Sequence, residues 1–235
     1  MEEIMNKKTI YWTCGIAALI IILLIIWAAL GGNAKTRNDS PSSDTAGSDN
    51  LRNYLKEQDA LMAKMMEDMT NVESTGNAAL DFLNGMIPHH QAAVEMCESY
   101  MKYGGRDEEL RKLAENIVQM QKQEIQQMQA FASEIKDGGA QNLEQEKAYL
   151  EGYDKMMSSH HSSHASHETP ANVEAAFAEG MIMHHQMAVE MAQAILGNTD
   201  EEQVTILAQS IIEAQQTEIA QMQDILKRVS AAHNS

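Results

Sequence analysis

The sequence predicts an all-α protein, a four-helix bundle made of two repeated helical hairpins and preceded by a single transmembrane helix. Three observations carry this prediction. "GMIPHHQAAVEM" (85–96) recurs as "GMIMHHQMAVEM" (180–191), with ten of twelve positions identical. The 235 residues hold only 3 prolines, at 41, 88 and 170, and runs of β-branched residues are absent outside the first thirty positions. Those first thirty positions contain "IYWTCGIAALIIILLIIWAAL" (10–30), an uncharged apolar run of about the length that crosses a bilayer.

Residues 1–32 therefore read as an N-terminal membrane anchor. A cleaved signal peptide is the competing reading, set against an apolar run longer than the usual h-region and the lack of a small-residue cleavage site after it. Lys7 and Lys8 precede the run, whereas Lys35 and Arg37 follow it, so charge alone leaves the orientation open. One span with a long polar domain behind it favours a cytoplasmic N-terminus, and hence a single-pass protein of the cell membrane whose bundle faces the extracytoplasmic side. Residues 33–50 ("NAKTRNDSPSSDTAGSDN") are small and polar and read as a flexible linker.

The bundle is expected over 51–232, with helices near 51–73, 77–103, 107–136, 141–158, 172–196 and 199–231. Gly104-Gly105, Gly138-Gly139 and Gly197 mark the breaks. Thr199 followed by Glu202 fits a capping box at the last helix start. The repeat extends past the histidines, because "IVQMQKQEIQQMQ" (117–129) matches "IIEAQQTEIAQMQ" (211–223). Repeat one thus covers 77–136 and repeat two 172–231, joined by a Met/His-rich connection over 141–171. Two such hairpins pack as a bundle of approximate two-fold symmetry, so a doubled motif can build one shared site.

Helical periodicity assigns faces. Ala79, Phe82, Leu83, Met86, Ala93, Cys97 and Tyr100 form one stripe, and His89 and His90 flank its centre. Glu95 falls opposite, so Glu95 and its counterpart Glu190 are expected on the surface and not as ligands. On the partner helix Gln121 and Glu124 sit mid-stripe, as do Gln215 and Glu218 in repeat two. A carboxyl group in a helix core is costly unless paired, protonated or bound to metal. His89, His90, His184, His185, Glu124 and Glu218 are therefore candidate metal ligands. A closed His–Glu hydrogen-bond network that merely sets helix register is the alternative.

The chain has 18 methionines, and Met86, Met96, Met128, Met181, Met191 and Met222 join the candidate set. Methionine is also ordinary core filler, which applies equally to Met62, Met65, Met66 and Met69. "MMSSHHSSHASH" (156–167) adds His160, His161, His164 and His167. His-rich tracts bind metal, and a plain polar linker is the competing reading. Thioether beside imidazole favours copper, Cu(I) first, with other transition metals as alternatives. Beyond residue 35 there are 14 Lys+Arg against 32 Asp+Glu, a net charge of −18, which attracts cations and repels nucleic acid. Cys97 is the one cysteine outside the apolar run, so a disulfide within the bundle is excluded.

"DFLNGMIPHHQAAVEM…LRKLAENIVQMQKQEIQQMQ", doubled as "AFAEGMIMHHQMAVEM…ILAQSIIEAQQTEIAQMQ", resembles the bacterial family known as domain of unknown function 305, over about residues 77–230. The resemblance implies a ferritin-like bundle, usually exported; some members are associated with copper binding and tolerance, and most have no assigned activity. The family motif falls here on His89, His90, Met96, Glu124 and Met128, and on His184, His185, Met191, Glu218 and Met222. Ala176 stands where the first half has Asp81, so any role of that aspartate is not doubled. The expected function is copper binding, sequestration or tolerance, with metal ions, the membrane and a copper donor or acceptor protein as partners. A ferritin-like metallo-oxidase and a metal-free envelope scaffold are the rivals. No nucleophile–base pair, phosphate loop or zinc-protease motif is present.

Overall fold

Two asparagines open the two histidine helices. Asn77 Oδ1 accepts the Leu80 N–H at 3.1 Å, and Asn172 Oδ1 accepts the Ala175 N–H at 2.8 Å. Each satisfies a first-turn donor that the helix itself leaves unpaired. The computed structural model describes residues 44–162 and 170–231. Among these are six helices and no strand: α1 (Asp44–Thr70), α2 (Ala78–Tyr103), α3 (Glu108–Gly138), α4 (Leu143–Ser162), α5 (Val173–Ile195) and α6 (Glu202–Ala231). The expected span over 10–30 lies outside the described residues, as do His164 and His167. No described helix is long and apolar enough to cross a membrane.

Three expectations are corrected at the element ends. Helix α1 starts at Asp44, so 44–50 of the expected linker is helical. Its first turns are docked, since Asn50 Nδ2 donates to the Tyr103 carbonyl at 3.0 Å. Helix α4 runs to Ser162, which makes the start of the His-rich tract helical too. The Thr199 hydroxyl accepts the N–H of Glu201 at 3.0 Å. It closes a turn ahead of α6 and does not form the capping box with Glu202.

The hairpins α2–α3 and α5–α6 pack through their first helices, α2 against α5, and through their second, α3 against α6. Helix α1 lies on α2 and α5, while α4 lies on α5 and α2. These two helices are therefore equivalent, and their sequences agree: Tyr54-Leu55 with Asp59 recurs as Tyr149-Leu150 with Asp154. Each repeat is three helices, not the two-helix hairpin that the sequence suggested.

Helices α2 and α5 run antiparallel, which yields two apolar cores, one at each end of their contact. The first gathers Met69, Phe82, Met86, Tyr149, Met191 and Leu207. The second gathers Tyr54, Met96, Tyr100, Phe177, Met181 and Ile225. Phe82 meets Tyr149 edge-on with ring centroids 6.3 Å apart, and Phe177 stacks on Tyr100 at 4.2 Å. Burying each phenylalanine is worth about 2–3 kcal/mol. At the far end Arg228 of α6 pairs with Asp107 and Glu109, which start α3.

The close approach of α2 to α5 explains the glycine of the doubled motif. A Cβ on Gly85 would stand 3.4 Å from the Met191 methyl carbon, and one on Gly180 would stand 3.6 Å from that of Met96. Each repeat's Gly therefore receives the other repeat's terminal Met. The contact is reciprocal, as a two-fold axis requires.

Candidate metal centre

Between the two apolar cores lies a buried polar layer. Four side chains come from the stripes of the central helices: His89 and His90 of α2, and His184 and His185 of α5, each with no exposed surface. Four come from the outer pair: Gln121 and Glu124 of α3, and Gln215 and Glu218 of α6, which are at most 8% exposed. In each outer helix the spacing Ile–Gln–Glu–Met (117, 121, 124, 128 and 211, 215, 218, 222) keeps all four on one face. The faces read from helical periodicity are the faces observed, and Glu95 and Glu190 are exposed as expected.

His90 Nε2 lies 2.8 Å from Glu124 Oε2, and His185 Nε2 lies 2.8 Å from Glu218 Oε2. These two pairs repeat the same geometry in the two halves. His89 and His184 meet across the pseudo-two-fold axis, with ring centroids 3.7 Å apart and planes inclined by 34°. The His184 Nε2–H donates to the His89 carbonyl at 3.0 Å. That bond fixes the tautomer of the neutral ring, because a carbonyl can only accept, and so leaves the lone pair on Nδ1.

Burial pushes His89 and His184 well below the usual imidazole range, and the neighbouring histidines push them further. Both rings are therefore neutral, the form that binds metal. Neither nitrogen of His89 has a hydrogen-bond partner, nor has Nδ1 of His90, His184 or His185. Gln121 Oε1 and both polar atoms of Gln215 are likewise unpartnered. Buried polar atoms left without partners are costly, so this layer has unused capacity for a ligand. As placed, no three His, Cys, Asp or Glu side chains among the described residues converge tightly enough to hold one ion.

The six motif methionines are all buried, but they divide between the apolar cores: Met86, Met128 and Met191 in the first, Met96, Met181 and Met222 in the second. Met65 and Met69 also pack in the first core, which is the core-filling role. His160 is half-buried on α4, with Nε2 3.4 Å from Glu190 Oε2 on α5. Nothing in the sequence pattern pointed to that pair, which requires α4 to lie along α5. The side chain of His161, with His164 and His167, lies outside the described residues.

A family model described as "Domain of unknown function (DUF305)" matches residues 28–132 and again 132–226. Each matched stretch takes in three of the helices. Similar solved structures include CopM in a silver-bound form obtained by soaking, 29% identical, which covers 66% of this chain and 98% of that one with a TM-score of 0.47. CopM in its Cu(II)-bound form is 28% identical, with 64% and 96% covered and a TM-score of 0.48. A DUF305 fragment from Deinococcus radiodurans is 25% identical, with 64% and 96% covered and a TM-score of 0.46. No curated protein matches the sequence.

Proposed function

The chain belongs to the DUF305 family, and from the chemistry of its buried layer we propose that it binds copper on the extracytoplasmic side of a membrane, sequestering the ion or passing it to a partner protein. The observation that carries this reading is the meeting of both histidine pairs in one buried layer, where both nitrogens of His89 and the Nδ1 atoms of His90, His184 and His185 have no hydrogen-bond partner. Imidazole nitrogens suit copper, and a surrounding shell rich in thioethers suits its reduced form. Glu124 and Glu218 would orient His90 and His185 through their Nε2 atoms, leaving the Nδ1 atoms to face an ion. The ion is cargo, and its entry would draw the rings into a tighter set than the pairs now make. His160, beside Glu190, and the histidines after it would serve as capture ligands. The apolar segment 10–30 would hold the bundle at the membrane.

The two His–Glu contacts at 2.8 Å also favour a second reading, a metal-free network that fixes how the repeats dock. Metal analysis of the full chain purified without added metal, followed by copper titration, separates the two. Copper retained at a fixed stoichiometry supports binding, and no uptake tighter than that of a scrambled His-rich peptide supports the scaffold.

A further inference from the structure

Asp81 is the one buried acid of repeat one that repeat two lacks, since Ala176 occupies its position. It is 1% exposed and sits on the first turn of α2. Its Oδ1 accepts from the Thr75 hydroxyl at 2.6 Å and from the Thr75 N–H at 3.0 Å. Its Oδ2 has no donor. The carboxyl group of Glu146, on the first turn of α4 and 6% exposed, is brought to the same loop. Glu146 Oε1 in turn accepts from the Ser74 hydroxyl at 2.6 Å and the Gly76 N–H at 2.5 Å. Two carboxyl groups thus grip the same short loop, 71–77, from two helices. The connection between the repeats is tied in as well, because the Asn142 N–H donates to the Gly76 carbonyl at 2.9 Å.

Two acceptor-only groups buried against adjacent residues of one loop repel unless a proton lies between them. We propose that Asp81 and Glu146 share one proton, making an acid-closed latch that holds the α1–α2 loop to the start of α4. Tyr149, buried one turn further along α4, is the other titratable group facing Asp81.

The acidities agree with this arrangement. Burial raises Asp81 from 3.8 to about 6, with the Glu146 carboxyl adding to the rise. The Ser74 hydroxyl holds Glu146 below its ordinary range, helped by the Gly76 N–H. A raised folded-state acid binds its proton more tightly in the folded chain, so its stabilisation is lost as pH rises through the folded value. Taking about 6 for the latched acid and 3.8 for the released one, opening becomes roughly tenfold more favourable between pH 5 and pH 7.5.

Hydrogen exchange on the full chain reads this directly at the amides of Thr75, Gly76 and Asn142. After correction for intrinsic exchange, their protection should fall about tenfold from pH 5 to pH 7.5. The first turn of α5, where Ala176 replaces the aspartate, should show no such change. Asp81→Asn supplies a permanent donor to Glu146, so it should abolish the pH dependence, and Glu146→Gln should do so from the other side. Equal protection at both pH values in the native chain would overturn the latch, as would pH dependence that persists in both variants. Full protection restored at pH 7.5 by millimolar calcium would also overturn it, in favour of a hard cation between the carboxyl groups.

Discussion

Replacing Glu124 with alanine removes the carboxyl partner of a histidine that has no exposed surface. His90 Nδ1 is already unpartnered, so losing the 2.8 Å contact at Nε2 leaves the whole ring without a hydrogen bond. A buried polar group so stranded costs about 1–3 kcal/mol, and truncating a long buried side chain adds about 1 kcal/mol of lost packing. Glu124→Ala should therefore cost roughly 2–4 kcal/mol. A double-mutant cycle with His90→Ala isolates the pair, because an alanine at 90 has nothing left to strand. The coupling should come to about 1.5–3 kcal/mol, the range of hydrogen bonds that involve charged groups. Urea unfolding followed by circular dichroism measures all four species, with an unchanged denaturant slope as the check that the unfolded state is the same. The equivalent cycle at His185 and Glu218, which shares the 2.8 Å geometry, should return the same value. A coupling below about 0.5 kcal/mol in both cycles would mean that the carboxyl groups do not hold the rings.

Gly85→Ala places its Cβ at ordinary contact distance from Met191, so the roughly 1 kcal/mol that alanine gains in a helix should leave stability unchanged or slightly raised. Gly180→Leu instead fills the notch that Met96 occupies and should cost about 1–3 kcal/mol in the same unfolding assay. Copper uptake should be stoichiometric, without sustained oxygen consumption in the presence of Fe(II) or Cu(I); turnover that disappears in Glu124→Ala would favour a metallo-oxidase. Protease added to intact cells or spheroplasts should digest the chain beyond residue 33, and full protection would reverse the proposed orientation.

Much of the polar layer was legible because helical periodicity is rigid. Once 117, 121, 124 and 128 fall on one face, Gln121 and Glu124 must share the fate of Ile117 and Met128, and they are buried together. The same arithmetic sent Glu95 outward. What stayed hidden depends on contacts between elements. Helices α1 and α4 diverged in chemistry while keeping their packing positions: Met65 occupies the place that His160 takes in the second repeat. Little beyond Tyr-Leu-x-x-x-Asp remains to betray the likeness. Gly85 and Met191 explain each other only once α2 and α5 are seen antiparallel. Asp81 and Glu146 lie on helices separated by a whole hairpin, and neither residue carries a local pattern that names the other. The start of α1 was misread for a related reason, because its polar first turns are held by Asn50 on the distant Tyr103 carbonyl.

If the doubled motif builds one copper-binding layer, His89 and His184, which meet across the axis, should both be needed for it. Tight copper stoichiometry should be measured by equilibrium titration of the full chain with residues 156–167 deleted, and of the same chain carrying His89→Ala, His184→Ala or both, each first shown to be helical by circular dichroism. One shared layer predicts that either single substitution removes most of the tight copper and that the double variant adds little. Loss of half the copper in each single variant and all of it in the double would mean two separate sites. Copper binding that survives in all three would contradict the account, leaving the histidines as the joint between the repeats.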